Sequence, residues 1–106
     1  MVDHELDELK REFLDEAREK VVEMQSALDQ APTSGSIDRL TYLAHQLKGS
    51  GGSYGYQRIS TDAAELEKAL EKVANDGVEF SGVEAEIQQH VVNLRSEIDR
   101  CAGELD

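Results

Sequence analysis

A chain of 106 residues carrying 23 acidic and 11 basic side chains, net charge −12, has room for one modest core and little to spare for a second. Such acidity opposes phosphate backbones and anionic lipid, and no basic patch offsets it, so neither nucleic-acid nor membrane binding is expected. The single cysteine, Cys101, excludes an internal disulfide and a cysteine-built zinc site and fits a reducing cytoplasm, while no apolar run reaches the length of a membrane span or a secretory leader.

Four amphipathic stretches follow in order. The first predicted helix runs from about Asp3 to Gln30, with Leu6, Leu9, Phe13, Ala17, Val21, Met24 and Leu28 at three- and four-residue spacing. A break near its start would set off a short leading helix. Ala31-Pro32-Thr33-Ser34-Gly35-Ser36 ends it with the only proline and several turn formers. The second helix is expected from about Ser36 to Ser53 or Tyr54, with an apolar stripe of Leu40, Leu43, Ala44, Leu47, Gly51 and Tyr54 and a left-handed stop at Gly55. The third runs from about Gln57 to Ala74 with Ile59, Ala63, Leu66, Leu70 and Val73 inward, and Asn75-Asp76-Gly77 signals a turn. The fourth opens at Ser81, where Ser81-x-x-Glu84 reads as a capping box, and buries Val83, Ile87, Val91, Leu94, Ile98 and Cys101. Short connections make consecutive helices antiparallel neighbours, so the expected fold is all-α: an up-and-down four-helix bundle forming one domain over residues 1–106. With all four stripes consumed in one bundle, a monomer is expected. A start at Met1 without a linker leans towards a free-standing protein.

The second helix carries the chemistry. Its apolar stripe centres about 160° around the helix from His45, which directs the imidazole towards solvent. Residues 32–58 hold Arg39, Lys48 and Arg58 against Asp38 alone, the only positive segment of the chain, so whatever approaches His45 is expected to be anionic there. Gly49, Gly51 and Gly52 interrupt the helix, each at a cost of about 1 kcal/mol relative to alanine. Gly51 falls on the core stripe and lets two helices approach. Gly49 and Gly52 fall within about 40° of His45 on the open face, where they leave access to the imidazole clear. Tyr42, with its neighbour Thr41, lies near that face as a docking rim. The glycines do not make a dinucleotide loop, which must follow a strand and open a helix; here an amphipathic helix precedes them.

His45-Gln46-Leu47-Lys48-Gly49, with Gly55 beyond, resembles the motif of histidine-containing phosphotransfer domains, the relay modules of two-component signalling, and length, helix order and acidity extend the resemblance over the whole chain. It implies that His45 is the phosphoacceptor, that Lys48 lies near the phosphoryl group and that Gly49 admits a receiver domain. A neutral imidazole, with an unperturbed pKa of about 6.5, can attack phosphorus, and the phosphoramidate formed is energy-rich enough to be passed to an aspartate. The resemblance also implies no cofactor of the chain's own: Mg²⁺ belongs to the partner receiver and ATP to the partner kinase. The partners implied are the receiver domain of a response regulator, a hybrid histidine kinase, or both, and the chain is a carrier rather than an enzyme.

Glu67 enters by register. If the second and third helices turn near Tyr56, His45 lies as far before the turn as Glu67 lies after it, and the two stand level. Some members of the resembled family have a glutamate here that accepts a hydrogen bond from the ring nitrogen not used in attack, which would leave Nε2 as nucleophile. The chemotaxis type often adds a second histidine one turn earlier, where this chain has Ala64. On geometry alone Glu67 either meets His45 or stays a solvated acid. His4 and His90 have no metal-ligand spacing, and Ser50 and Ser53 have no evident general base. Two other classes stay open: a helical adaptor that keeps the fold without phosphotransfer, and an enzyme using His45 as a covalent nucleophile, which would need a substrate pocket.

Overall fold

A computed structural model describes residues 4–105 as four helices, α1 His4–Asp29, α2 Ser34–Ser53, α3 Gln57–Asn75 and α4 Phe80–Leu105, with no strand among the described residues. Each packs on its neighbours in a ring, α1 on α2, α2 on α3, α3 on α4 and α4 back on α1, and the α2–α3 contact is the most extensive. The expected all-α four-helix bundle is the fold observed. Its core is built from the predicted stripes: Met24, Leu40, Leu47, Leu66, Leu94 and Ile98 are among the side chains fully withdrawn from water. No helix of the described residues is long and apolar enough to cross a membrane.

The helix ends differ from expectation in instructive ways. α1 is continuous from His4 without a break, and Asp3, the expected start, lies outside the described residues. Leu6 and Leu9, expected in the core, are exposed. The reason is the length of the α2–α3 hairpin. Tyr54 and Tyr56 at its turn stack on Phe13, with ring centroids 5.0 and 5.8 Å away, and close the core there; the first two turns of α1 run on past the lid.

α2 begins at Ser34 rather than Ser36, because the capping box is Thr33 with Ser36. The Ser36 amide donates to Thr33 Oγ1 and the Thr33 amide donates to Ser36 Oγ, each at 3.1 Å. The box expected at Ser81-x-x-Glu84 is not used. α4 starts one residue earlier, with Phe80 buried against the core and the Gly82 amide bonded to the Glu79 carbonyl, so Ser81 sits inside the helix. Gly55 adopts the left-handed conformation expected of it, φ +81°, and Gly77 turns the α3–α4 connection at φ +71°.

Candidate functional site

The α2–α3 seam brings three of the singled-out residues together. His45 stands on the outer face of α2 with 67% of its side chain exposed, and its Nδ1 lies 2.8 Å from Glu67 Oε2 on α3. Lys48, one turn further along α2, donates from Nζ to Glu67 Oε1 at 2.7 Å. One carboxylate therefore spans both, and it is the most withdrawn of the three at 12% exposed. Burial alone would push the Glu67 carboxyl up, but hydrogen bonds from Lys48 and His45 outweigh it and hold the group below the ordinary carboxylate range. An ionised carboxylate only accepts, so the 2.8 Å contact requires the proton on Nδ1. The lone pair is then on Nε2, which has no hydrogen-bond partner among the described residues.

Local packing sets this register. A Cβ on Gly51 would stand 3.1 Å from the Ser60 backbone nitrogen and 3.2 Å from Ile59 Cγ2, so only glycine lets α2 and α3 approach this closely. Ser60 Oγ donates to the Lys48 carbonyl at 2.8 Å and pins the two helices together beside the site. Nothing in the sequence singles out Ser60. Gly49 and Gly52 are both exposed; a Cβ on Gly49 would meet nothing within 4 Å, and one on Gly52 only Ser60 Oγ at 3.5 Å. The imidazole thus stands on open surface, with no bulk over it on the Gly49 side.

Tyr42 and Thr41 do not join this cluster. Thr41 is half-buried and its hydroxyl donates back to the Ile37 carbonyl at 2.8 Å. Tyr42 is exposed, its hydroxyl accepts from Gln46 Nε2 at 2.8 Å, and the Arg39 guanidinium lies 5.5 Å from its ring centroid while also paired with Glu23. Among the other candidates, His90 is half-buried, with Nδ1 3.8 Å from Asp62 and Nε2 3.8 Å from Glu86. No cluster able to hold a metal ion occurs among the described residues. Cys101 is buried, and burial pushes its thiol up, away from the reactive thiolate.

Lys48, expected near the phosphoryl group, also meets Glu67, a contact that the sequence analysis does not include. The signal existed: His45 and Lys48 are three apart on one helix face, so whatever carboxylate stands level with one is in reach of the other.

A family model described as the Hpt domain matches residues 8–102. Comparison with curated proteins and with solved structures gave no match. The matched span holds all of α2 and α3 and therefore the whole His45–Lys48–Glu67 cluster. On that match and this geometry, the chain belongs to the Hpt domain family, the phosphotransfer modules of two-component signalling.

Proposed function

We propose that the chain is a phosphorelay intermediate in which His45 accepts a phosphoryl group at Nε2 and donates it to the aspartate of a receiver domain. The observation that carries this reading is the 2.8 Å contact between Nδ1 of an otherwise exposed imidazole and the Glu67 carboxylate. It fixes the tautomer that leaves Nε2 nucleophilic.

In transfer from a receiver, the Nε2 lone pair attacks phosphorus, the bond from phosphorus to the aspartyl oxygen breaks, and the aspartate leaves as carboxylate. Nδ1 keeps its proton throughout, and Glu67 stabilises the positive character that the ring gains. Onward transfer is the reverse on a second aspartate, and a histidine kinase is the other source of phosphoryl groups. Lys48, three residues along the helix, is close enough to exchange a Glu67 oxygen for a phosphoryl oxygen. Gly49 and Gly52 keep the face open for the receiver, Tyr42 and Thr41 border it, and of the three bases of the positive segment Lys48 is the one at the site, since Arg39 is paired with Glu23 on α1 and Arg58 lies towards Glu97 on α4. The chain ends each transfer covalently modified, so it acts as a carrier in the cytoplasm and not as a turnover catalyst.

The test is incubation with a panel of phosphorylated receiver domains and Mg²⁺, read by intact mass on wild type and His45→Gln. Acid-labile, alkali-stable phosphate on wild type alone is expected. Because the imidazole is exposed, His45→Gln should keep the wild-type stability to within about 1 kcal/mol. Label retained by a folded His45→Gln variant would overturn the assignment. Absence of label from every receiver and from kinase with ATP would reduce the chain to a helical adaptor.

A further inference from the structure

Outside the His45–Lys48–Glu67 cluster, one side-chain hydrogen bond between helices is unlike the others. Arg18 Nε to Asp99 at 3.0 Å and Arg11 to the Leu105 carbonyl tie α1 to α4, and Arg39 Nε to Glu23 at 2.8 Å ties α2 to α1. These ties reach out on long, exposed arginine side chains, whose many torsions let them follow a moving partner. Ser60 has a single side-chain torsion, is half-buried, and donates from Oγ to the Lys48 carbonyl at 2.8 Å. Thr41 and Ser53 also stand inside helices, and their hydroxyls bond back to the carbonyl four residues earlier on the same helix. Ser60 has the same choice in the Tyr56 carbonyl, which already takes its amide at 3.1 Å, yet its hydroxyl crosses to α2.

Two contacts give the level of α3 on α2. His45 meets Glu67, and a Cβ on Gly52 would meet Ser60 Oγ at 3.5 Å. Glu67 follows Ser60 by the same number of residues as Gly52 follows His45, so Lys48 is level with Ala64. Ser60 and Glu67 share one face of α3, about 20° short of two full turns apart. The Lys48 carbonyl points along α2 towards the Gly52 level, where Ser60 takes it. Its side chain leans the other way and reaches Glu67 at 2.7 Å, with only the Ala64 methyl beside its path. One face of α3 thus holds Lys48 at both ends.

We propose, on the phosphorelay reading of His45, that Ser60 is a positioning residue: its hydroxyl stops α3 rolling against α2 and so keeps the Glu67 carboxylate where it reaches His45 and Lys48 together. The core does not do this alone. Ile59, Leu66 and Leu70 hold α3 by apolar contact, which is non-directional, and Gly51 sets how near the helices come rather than how they are turned. A roll of about 10° carries a side-chain tip about 5 Å from the helix axis through about 0.9 Å. That breaks a hydrogen bond of 2.7 or 2.8 Å. Because Ser60 and Glu67 share a face, the roll that parts Glu67 from His45 also parts Ser60 from Lys48, and the short hydroxyl resists it. Without the Nδ1 contact the ring is free to carry its proton on Nε2, and a protonated Nε2 has no lone pair for phosphorus.

The test combines the ring-nitrogen NMR shifts of His45, recorded at about pH 9, well above the ordinary histidine pKa of about 6.5, with receiver transfer rates on wild type, Ser60→Ala and Ser53→Ala. Wild type should show a protonated Nδ1 and a bare Nε2, widely separated in shift. In Ser60→Ala the two shifts should move towards each other as the tautomers mix. Its maximal transfer rate should fall about threefold or more, while the receiver concentration giving half that rate stays as in wild type. Ser53→Ala, which removes a hydroxyl that returns to its own helix, should match wild type in shifts and maximal rate. Unchanged far-UV circular dichroism checks the folding of both variants. A folded Ser60→Ala with the wild-type separation or the wild-type maximal rate would overturn the proposal, as would a wild type protonated on Nε2. A wild type that takes no phosphate from any receiver or kinase overturns the phosphorelay reading instead, and the ring nitrogens still decide whether Ser60 holds Glu67 in place.

Discussion

Alanine at Gly49 and alanine at Gly51 should move the protein in opposite directions, although the two glycines are neighbours on one helix. Each glycine costs α2 about 1 kcal/mol relative to alanine. At Gly49 the new Cβ meets nothing within 4 Å, so the helical gain is kept in full. About 1 kcal/mol raises the melting temperature by roughly 4–8 °C in a domain near this size. At Gly51 the Cβ would stand 3.1 Å from the Ser60 nitrogen and 3.2 Å from Ile59 Cγ2, and backbone on α3 has to give way. Overpacking of this kind costs about 1–3 kcal/mol, which at least cancels the helical gain and leaves a net loss of up to about 2 kcal/mol. The same shift lengthens the His45–Glu67 contact, so Gly51→Ala should also slow phosphoryl uptake. Gly49→Leu separates access from stability: it should melt no lower than wild type yet slow transfer from a receiver about tenfold or more, the equivalent of about 1.4 kcal/mol of lost complementarity. Thermal unfolding by far-UV circular dichroism, with transfer rates from intact mass, measures all of these. A Gly49→Ala variant that melts below wild type, or a Gly51→Ala variant that melts above it, would refute the packing account. Wild-type transfer by Gly49→Leu would refute the steric one.

Glu67→Gln tests the shared carboxylate through pH. Because the native carboxyl is held below its ordinary range, its contribution is complete above the unfolded value of about 4.3 and is lost as pH falls through the native value. The stability gap between wild type and Glu67→Gln, measured by chemical denaturation, should therefore shrink as pH falls below about 4.3; a gap that stays constant would mean the pairing contributes nothing. Glu67→Gln should also transfer more slowly than wild type, since a neutral amide stabilises a charged ring less. Thr33→Ala removes the acceptor for the Ser36 amide and should cost about 1 kcal/mol in thermal stability. Its transfer rate below the melting transition should not change, because the cap lies three turns from His45.

Much of this was legible from periodicity. The stripes of all four helices, the left-handed Gly55, the outward His45 and the tight approach at Gly51 follow from counting residues around a helix. So did the idea that His45 and Glu67 stand level, because a hairpin with a short turn has few registers. Sequence reasoning failed where the answer depended on a neighbour's length. Leu6 and Leu9 continue the stripe of Phe13 faultlessly, and nothing local records that the α2–α3 hairpin stops at Tyr56 and leaves them uncovered. The helix starts failed for a different reason. Ser81-x-x-Glu84 has the better capping letters, but Phe80 gains more by joining the helix and entering the core than Ser81 gains as a cap. Thr33-x-x-Ser36 has a serine where glutamate is the usual signal, so its letters do not announce a cap.

The two ends of the molecule's connectivity carry different work. His45 and Glu67 are 22 residues apart, joined by the nearest-neighbour closure of α2 on α3. The ties between α1 and α4 join residues 81 and 94 apart and supply no group to the phosphoryl chemistry. High contact order is thus confined to the part of the fold that stores no reactive geometry. A transient parting of α1 from α4, paid back by the large loop entropy it releases, exposes core without moving His45 from Glu67. Amides of α2 and α3 around Leu47 and Leu66 should then outlast those of the outer turns of α1 in hydrogen exchange, and phosphate carriage should survive breathing that a site built across the chain's far-separated segments would not.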